Sequence, residues 1–181
     1  PTTWDHVTIE PDGRTITVAF WNGAEACSGL DRLAISGIAG DPDPITITPW
    51  IGARVDAAGA DCADIRQLYA TTVTLDAPIL AGGIDDPTAL TEPPAGMGAA
   101  RWESVDLGPD GRTGWMRFST GAPACSSFDH IQVDSAGTIP GLFAVIAFPV
   151  DQPQLCTAIA QLHREPFTLP EPLILGGDPP A

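Results

Sequence analysis

The sequence predicts an all-β, mainly antiparallel protein made of two tandem homologous small domains, each with a short helical turn and one intradomain disulfide. Three observations carry this prediction: apolar residues alternating around turn chemistry, a long internal repeat, and cysteines at equivalent positions of that repeat.

The repeat shows first in "PDGRT", which occurs at Pro11–Thr15 and again at Pro109–Thr113. Trp4-x-x-Val7 precedes the first copy and Trp102-x-x-Val105 the second. Downstream, "FWNGAEACSGLDRL" (Phe20–Leu33) lies without a gap over "FSTGAPACSSFDHI" (Phe118–Ile131), at a constant offset of 98 residues. The offset then falls to 94, pairing Cys62 with Cys156 and "VTLDAPILAGG" (Val73–Gly83) with "FTLPEPLILGG" (Phe167–Gly177). A turn met twice by chance would not carry a cysteine pair and a terminal signature with it. The chain is therefore read as repeat 1 over residues 1–83, a Pro/Gly/Ala-rich linker over 84–101, and repeat 2 over 102–181.

Within repeat 1, Val7 and Ile9 alternate with polar residues. Pro-Asp-Gly then supplies the turn, and Ile16, Val18 and Phe20 alternate with Thr15, Thr17 and Ala19; together these predict a hairpin. A third strand is expected over Leu33–Ile35 and a fourth over Ile45–Ile51. Ile65, Leu68 and Tyr69 stand at helical spacing and predict one or two helical turns. Val73 and Leu75 make a fifth strand, stopped by Pro78. Repeat 2 gives the same order, with Ile131/Val133, Leu142–Val150, a helical turn at Ile159/Leu162/His163, and Phe167/Leu169.

Four cysteines allow three pairings, and repeat logic selects Cys27–Cys62 and Cys125–Cys156. Each bond would close a loop of roughly 30–35 residues and stabilise by about 3–4 kcal/mol in the chain-entropy model. A unit of about 85 residues has a marginal core, so such a staple answers a structural need. Metal binding is the rival reading, but there is no CxxC and no histidine stands at metal-ligand spacing from either pair. Disulfides imply an oxidising compartment, hence a secreted or cell-surface protein.

The pattern "DGRTITVAFWNG–AC–GLDRL…C…TVTLDAP…GG" resembles a disulfide-bearing repeat module of secreted and envelope proteins of actinobacteria. The resemblance covers both repeats and implies fold and location; it carries over no functional residue. This chain departs from the shorter "PLGGR" ending of that module, because Ile79–Ala81 precede the glycines and no arginine follows.

Charge restricts function further. The chain has no lysine and eight arginines against 23 carboxylates, for a net −15. That field repels phosphate backbones and anionic lipid, so neither nucleic-acid binding nor membrane insertion is expected. No apolar run reaches transmembrane-helix length. The chain begins at Pro1 without a basic or apolar leader and reads as a mature or trimmed chain.

No catalytic constellation, cofactor or metal site is expected. "CSSFDH" (Cys125–His130) gathers Ser, Asp and His, but Asp129 and His130 are neighbours on an expected strand and should point to opposite faces. The acidic loops "DPDP" (Asp41–Pro44) and "IDDP" (Ile84–Pro87) lack an EF-hand pattern, which leaves at most a weak surface calcium site. Trp115 and Arg117 alternate with Met116 and Phe118 and so face outward. Trp21 likewise opposes Phe20. An outward tryptophan stacks on sugar or anchors a partner protein, and the competing reading is that it covers the other repeat.

"LFAVIAFPV" (Leu142–Val150) is apolar on both faces, with Phe143, Val145 and Ala147 on the side where repeat 1 has Thr46 and Thr48. Such a strand needs cover on both sides, by the other repeat or by another molecule. The sequence thus points to a secreted, non-enzymatic structural or protein-interaction module that can self-associate. Its rivals are a carbohydrate or cell-wall binding module using Trp21, Trp115 and Arg117, and a small extracellular enzyme or enzyme inhibitor.

Overall fold

The computed structural model of the chain describes residues 1–25, 27–37, 44–54, 65–85, 95–135, 137–149 and 159–176. These hold twelve strands: β1 (Trp4–Ile9), β2 (Thr15–Asn22), β3 (Ser28–Ser36), β4 (Ile45–Ala53), β5 (Gln67–Thr74), β6 (Met97–Ala100), β7 (Trp102–Leu107), β8 (Thr113–Thr120), β9 (Ser127–Asp134), β10 (Gly141–Ala147), β11 (Gln161–Thr168) and β12 (Ile174–Gly176). The fold is all-β and mostly antiparallel, with no helix among the described residues. The end of the stretch read as linker is itself a strand, β6.

Both PDGRT copies make the same turn, and each residue has a task. Asp12 accepts the amides of Arg14 and Thr15 and the Thr15 hydroxyl. Asp110 does the same for Arg112 and Thr113. Gly13 and Gly111 have φ of 67° and 63°, a conformation that disfavours any side chain. A Cβ there would also collide with the carbonyl oxygen of Leu80 or Ile174. The guanidinium Nε of Arg14 reaches Leu75 O at 3.0 Å, and that of Arg112 reaches Leu169 O at 2.7 Å. The motif is a clamp on the terminal segment of its own repeat.

Beyond the clamp, each terminal segment crosses to the other repeat. Ile79 N donates to Gly13 O, but Ala81 forms a parallel bridge to Gly141, at the start of β10. In mirror fashion Leu173 N donates to Gly111 O, and β12 then pairs parallel with β4. The central sheet is shared as well. Its order is β11-β8-β7-β1-β2-β5, and the two repeats meet where β1 pairs antiparallel with β7. Two three-stranded sheets, β6-β10-β9 and β12-β4-β3, lie over one face of it, with β4 packed on β1 and β10 on β7.

One core fills the space between these layers. Trp4, Val7, Ile9, Ile16, Val18 and Phe20 from repeat 1 join Trp102, Val105, Leu107, Met116 and Phe118 from repeat 2, and Ile47, Leu142 and Ile174 close it from the small sheets. Each large-sheet strand contributes alternate residues, as β8 shows in its strict exposed–buried alternation up to Phe118.

The expected helical turns are not formed. Leu68 and Tyr69 lie in β5, and Leu162 and His163 lie in β11. Spacing of three and four residues is met by chance in a short stretch. What decides is the β-branched run Thr71–Thr74 and the inward alternation of Tyr69, Thr71 and Val73.

The apolar strand Leu142–Val150 is β10 up to Ala147; Val150 lies outside the described residues. Leu142 and Ala144 face the shared core, while Phe143 and Val145 are buried on the opposite side. Ala147 is half-buried. The Phe143 ring lies against Gly82 of the crossing segment and against Gly141. Cross-strand partners refine the alignment of the copies. Ala34 pairs Thr48 as Gln132 pairs Phe143, and Arg32 pairs Trp50 as His130 pairs Val145. Val145 thus replaces Trp50, which carries the Arg32 guanidinium 4.4 Å above its ring.

Cys27 and Cys125 sit just before β3 and β9, in turns closed by matching amide bonds to Ala24 O and Ala122 O. Neither is a free thiol. Cys62 and Cys156 lie outside the described residues, as do Asp41, Asp43 and Asp86 of the acidic loops.

Candidate functional site

The second face of the six-stranded sheet carries neither three-stranded sheet, and its outward side chains form a continuous surface. One row crosses all six strands in register: Pro166, Trp115, Asp106, Thr8, Thr17 and Thr72. Alternation alone puts these residues outward, since their chain neighbours Val7, Ile9, Ile16, Val18, Val105, Leu107 and Met116 are core.

Repeat 2 concentrates chemistry on its half of this face. Trp115 is 43% exposed. The Arg164 guanidinium sits 4.7 Å from the centre of its ring, a cation–π contact. Arg164 and Arg117 are direct cross-strand partners. Both approach Asp106 Oδ2, at 3.9 and 3.5 Å, while Asp106 Oδ1 accepts the Thr8 hydroxyl at 2.7 Å from the other repeat. Asp106 is thus the pivot of a Trp–Arg–Arg–Asp–Thr patch built across the junction of the repeats.

Repeat 1 lacks this patch although it has the same strands. At the positions of Trp115, Arg117, Asp106, Arg164 and Pro166 stand Thr17, Ala19, Thr8, Ala70 and Thr72, as matching registers show. Thr17 and Thr72 simply share a hydroxyl hydrogen bond of 2.9 Å. Exposed ion pairs contribute at most about 1 kcal/mol each, and like charges opposite one another on neighbouring strands are unfavourable. The patch is therefore not explained by stability, because threonine and alanine serve the fold as well.

Trp21, 44% exposed, stands at another corner of the same face beside Leu68, its cross-strand partner. Its indole N–H donates to Asp5 Oδ1 at 2.9 Å, and Asp5 Oδ2 meets His6 Nδ1 at 2.9 Å. These bonds, the one from His6 foremost, hold the Asp5 carboxyl below its usual range. The repeat 2 counterpart is Ser119 donating to Glu103. Asp5 and Glu103 each occupy a β-bulge, where the registers skip from Trp4 to His6 and from Trp102 to Ser104.

A bulge also corrects one expectation. Asp129 and His130 do not point to opposite faces; their side chains are hydrogen-bonded at 2.6 Å. The register of β9 skips Asp129, so the period of two is broken at that residue. The same bulge at Asp31 brings Asp31 and Arg32 to 3.2 Å. Of the two serines in this stretch, Ser126 is buried and accepts the Gly121 amide inside its turn, and Ser127 is exposed at the start of β9 opposite Ala147. His163 packs on Phe118 with ring centres 5.0 Å apart and bonds Thr120 at 2.8 Å.

Of the residues singled out from sequence, Trp115 and Arg117 share the patch and Trp21 shares its sheet face. Phe143 and Val145 are interior residues of this chain. Arg164, Asp106 and Thr8 were missed. The outward position of Asp106 was legible in "VDL", between two core residues. Arg164 was hidden by the helical reading of its strand, and Thr8 by ignorance that β1 and β7 pair. Among the described residues no group of three or more potential metal ligands occurs, and no helix is long and apolar enough to cross a membrane.

The fold and patch define a two-repeat, strand-exchanged β protein with one open sheet face. Compared with known proteins, the chain matches no family model, no curated protein and no solved structure.

Proposed function

We propose that the protein is a secreted, non-enzymatic interaction module, stapled by Cys27–Cys62 and Cys125–Cys156, whose working surface is the open face of the six-stranded sheet. The observation that carries this reading is the difference between the two halves of that face. One scaffold, used twice, carries Thr and Ala in repeat 1 where repeat 2 has Trp115, Arg117, Arg164 and Asp106. An exposed indole flanked by arginines is the composition of a binding hot spot. Phe143 and Val145 are buried within the chain, which favours the open sheet face over Leu142–Val150 as the working surface. The likeness to secreted envelope repeats and the paired cysteine positions support an extracellular setting.

The test places a photo-crosslinking side chain at position 115 and, as control, at Leu30, which is exposed on β3 of a three-stranded sheet. Exposed to the surface material and medium of the producing cells, the 115 variant should give a discrete adduct that the control lacks. Equal labelling from both positions would remove the open face as the working surface.

A further inference from the structure

We infer that the Trp115 patch is a subsite for a neutral polysaccharide lying across the strands; this names the partner of the open face and rests on that reading. Sugar rings offer an apolar C–H face and, at their rim, hydroxyls that both donate and accept. The patch supplies the complement to each. Trp115, 43% exposed, gives aromatic surface beside the Arg164 guanidinium that lies over its ring. Arg117 and Arg164 give multiple donors and Asp106 gives acceptor oxygens, the two guanidinium groups lying 3.5 and 3.9 Å from Asp106 Oδ2.

The patch is also held in place before any ligand arrives. Asp106 is tethered by the Thr8 hydroxyl, and its side chain is only 18% exposed. Arg164 is stacked over Trp115. Groups fixed in this way lose less freedom on binding, which raises affinity. From Asp106 the row continues across Thr8, Thr17 and Thr72, which are small, hydroxyl-bearing side chains. Six strands spaced about 4.8 Å apart give a track of roughly 24 Å, suited to an extended chain rather than to a single sugar.

Charge decides between kinds of ligand. The net −15 repels a polyanion, so acidic polysaccharides are excluded despite the two arginines. The centre of a protein contact is enriched in aromatic side chains and arginine but depleted in aspartate. Here an aspartate is the pivot of the patch, with threonine beside it.

Affinity electrophoresis of the full-length protein tests this, in gels containing hydroxyethyl cellulose, glucomannan, soluble starch or polygalacturonate. At least one neutral polymer should retard the protein, and raising salt to about 0.5 M should leave the retardation unchanged, because no ion pairing drives it. Trp115→Ala should weaken binding by roughly tenfold or more, and Trp115→Phe should retain most of it. Thr8→Val, which releases Asp106, should weaken it by about three- to tenfold. Melting temperatures near that of the parent would show that these variants fold. The proposal is overturned if no neutral polymer retards the protein, if Trp115→Ala binds like the parent, or if only polygalacturonate binds in a salt-sensitive way. A protein adduct from position 115 without glycan binding would also overturn it while leaving the open-face reading intact.

Discussion

At the residue scale, the two turn aspartates make the clearest case. Asp110 is held below its ordinary carboxyl value by the amides of Arg112 and Thr113. For Asp12, burial pushes upward but is outweighed by the amides of Thr15 and Arg14. A carboxyl that binds its proton more weakly in the folded state stabilises the fold in full above its unfolded value, here 3.8. That contribution is lost as pH falls through the lower folded value. Stability should therefore be flat with respect to these groups from neutral pH to about 5, then fall below 3.8. Asp12→Ala and Asp110→Ala should each cost about 1–2 kcal/mol at neutral pH, because each strands two amides and a hydroxyl. The double variant should show a shallower acid slope in urea titrations repeated from pH 7 to pH 3. An unchanged slope would mean that other groups govern acid unfolding.

At the scale of elements, the hairpins were legible because their alternation is flanked by turn chemistry. Val7/Ile9 and Ile16/Val18/Phe20 are core residues of β1 and β2. The strands β5 and β11 were misread because Ile65/Leu68/Tyr69 and Ile159/Leu162/His163 meet a helical spacing over only five residues, too short a stretch to establish a period. Only pairing with β2 and β8 settles their direction. The bulges at Asp31 and Asp129 were not legible, since a single extra residue leaves no mark on composition. The apolar strand β10 was recognised as needing cover by the other repeat or by another molecule, and Gly82 of the other repeat lies against the Phe143 ring. From that follows a prediction about Phe143, only 7% exposed. Phe143→Ala should cost about 3–4 kcal/mol as a cavity beside Gly82 and Gly141, with no change in molecular mass by light scattering. A variant as stable as the parent but altered in mass would show that the ring serves an intermolecular contact instead.

At the scale of the whole molecule, the repeats are similar in sequence but joined in structure. The duplication could be read directly, whereas the pairing of β1 with β7 and the crossing of the terminal segments could not, because contact between copies leaves no periodic signal. Each PDGRT turn holds its own repeat's terminal segment; that of repeat 2 then joins the small sheet of repeat 1 as β12, and that of repeat 1 makes a single parallel bridge, Ala81 to Gly141, at the start of β10. Units linked in this way cannot unfold one after the other without breaking the β1–β7 pairing and the crossing contacts of the survivor. Calorimetry should therefore show a single transition whose van't Hoff and calorimetric enthalpies agree. Gly82 gives a sharper test. Its φ of 102° and its closeness to Leu142 O and the Phe143 ring leave no room for a side chain. Gly82→Ala should cost about 2–4 kcal/mol. The loss should be felt first in the other repeat, where the Leu142 amide donates to Ala81 O at 3.0 Å. Hydrogen exchange should accelerate at Leu142 and through β10 before it does at β3 and β4 of the mutated repeat. If instead β3 and β4 open first, or if two separate thermal transitions resolve, each repeat stands by itself and the crossing segments are accessory to the fold.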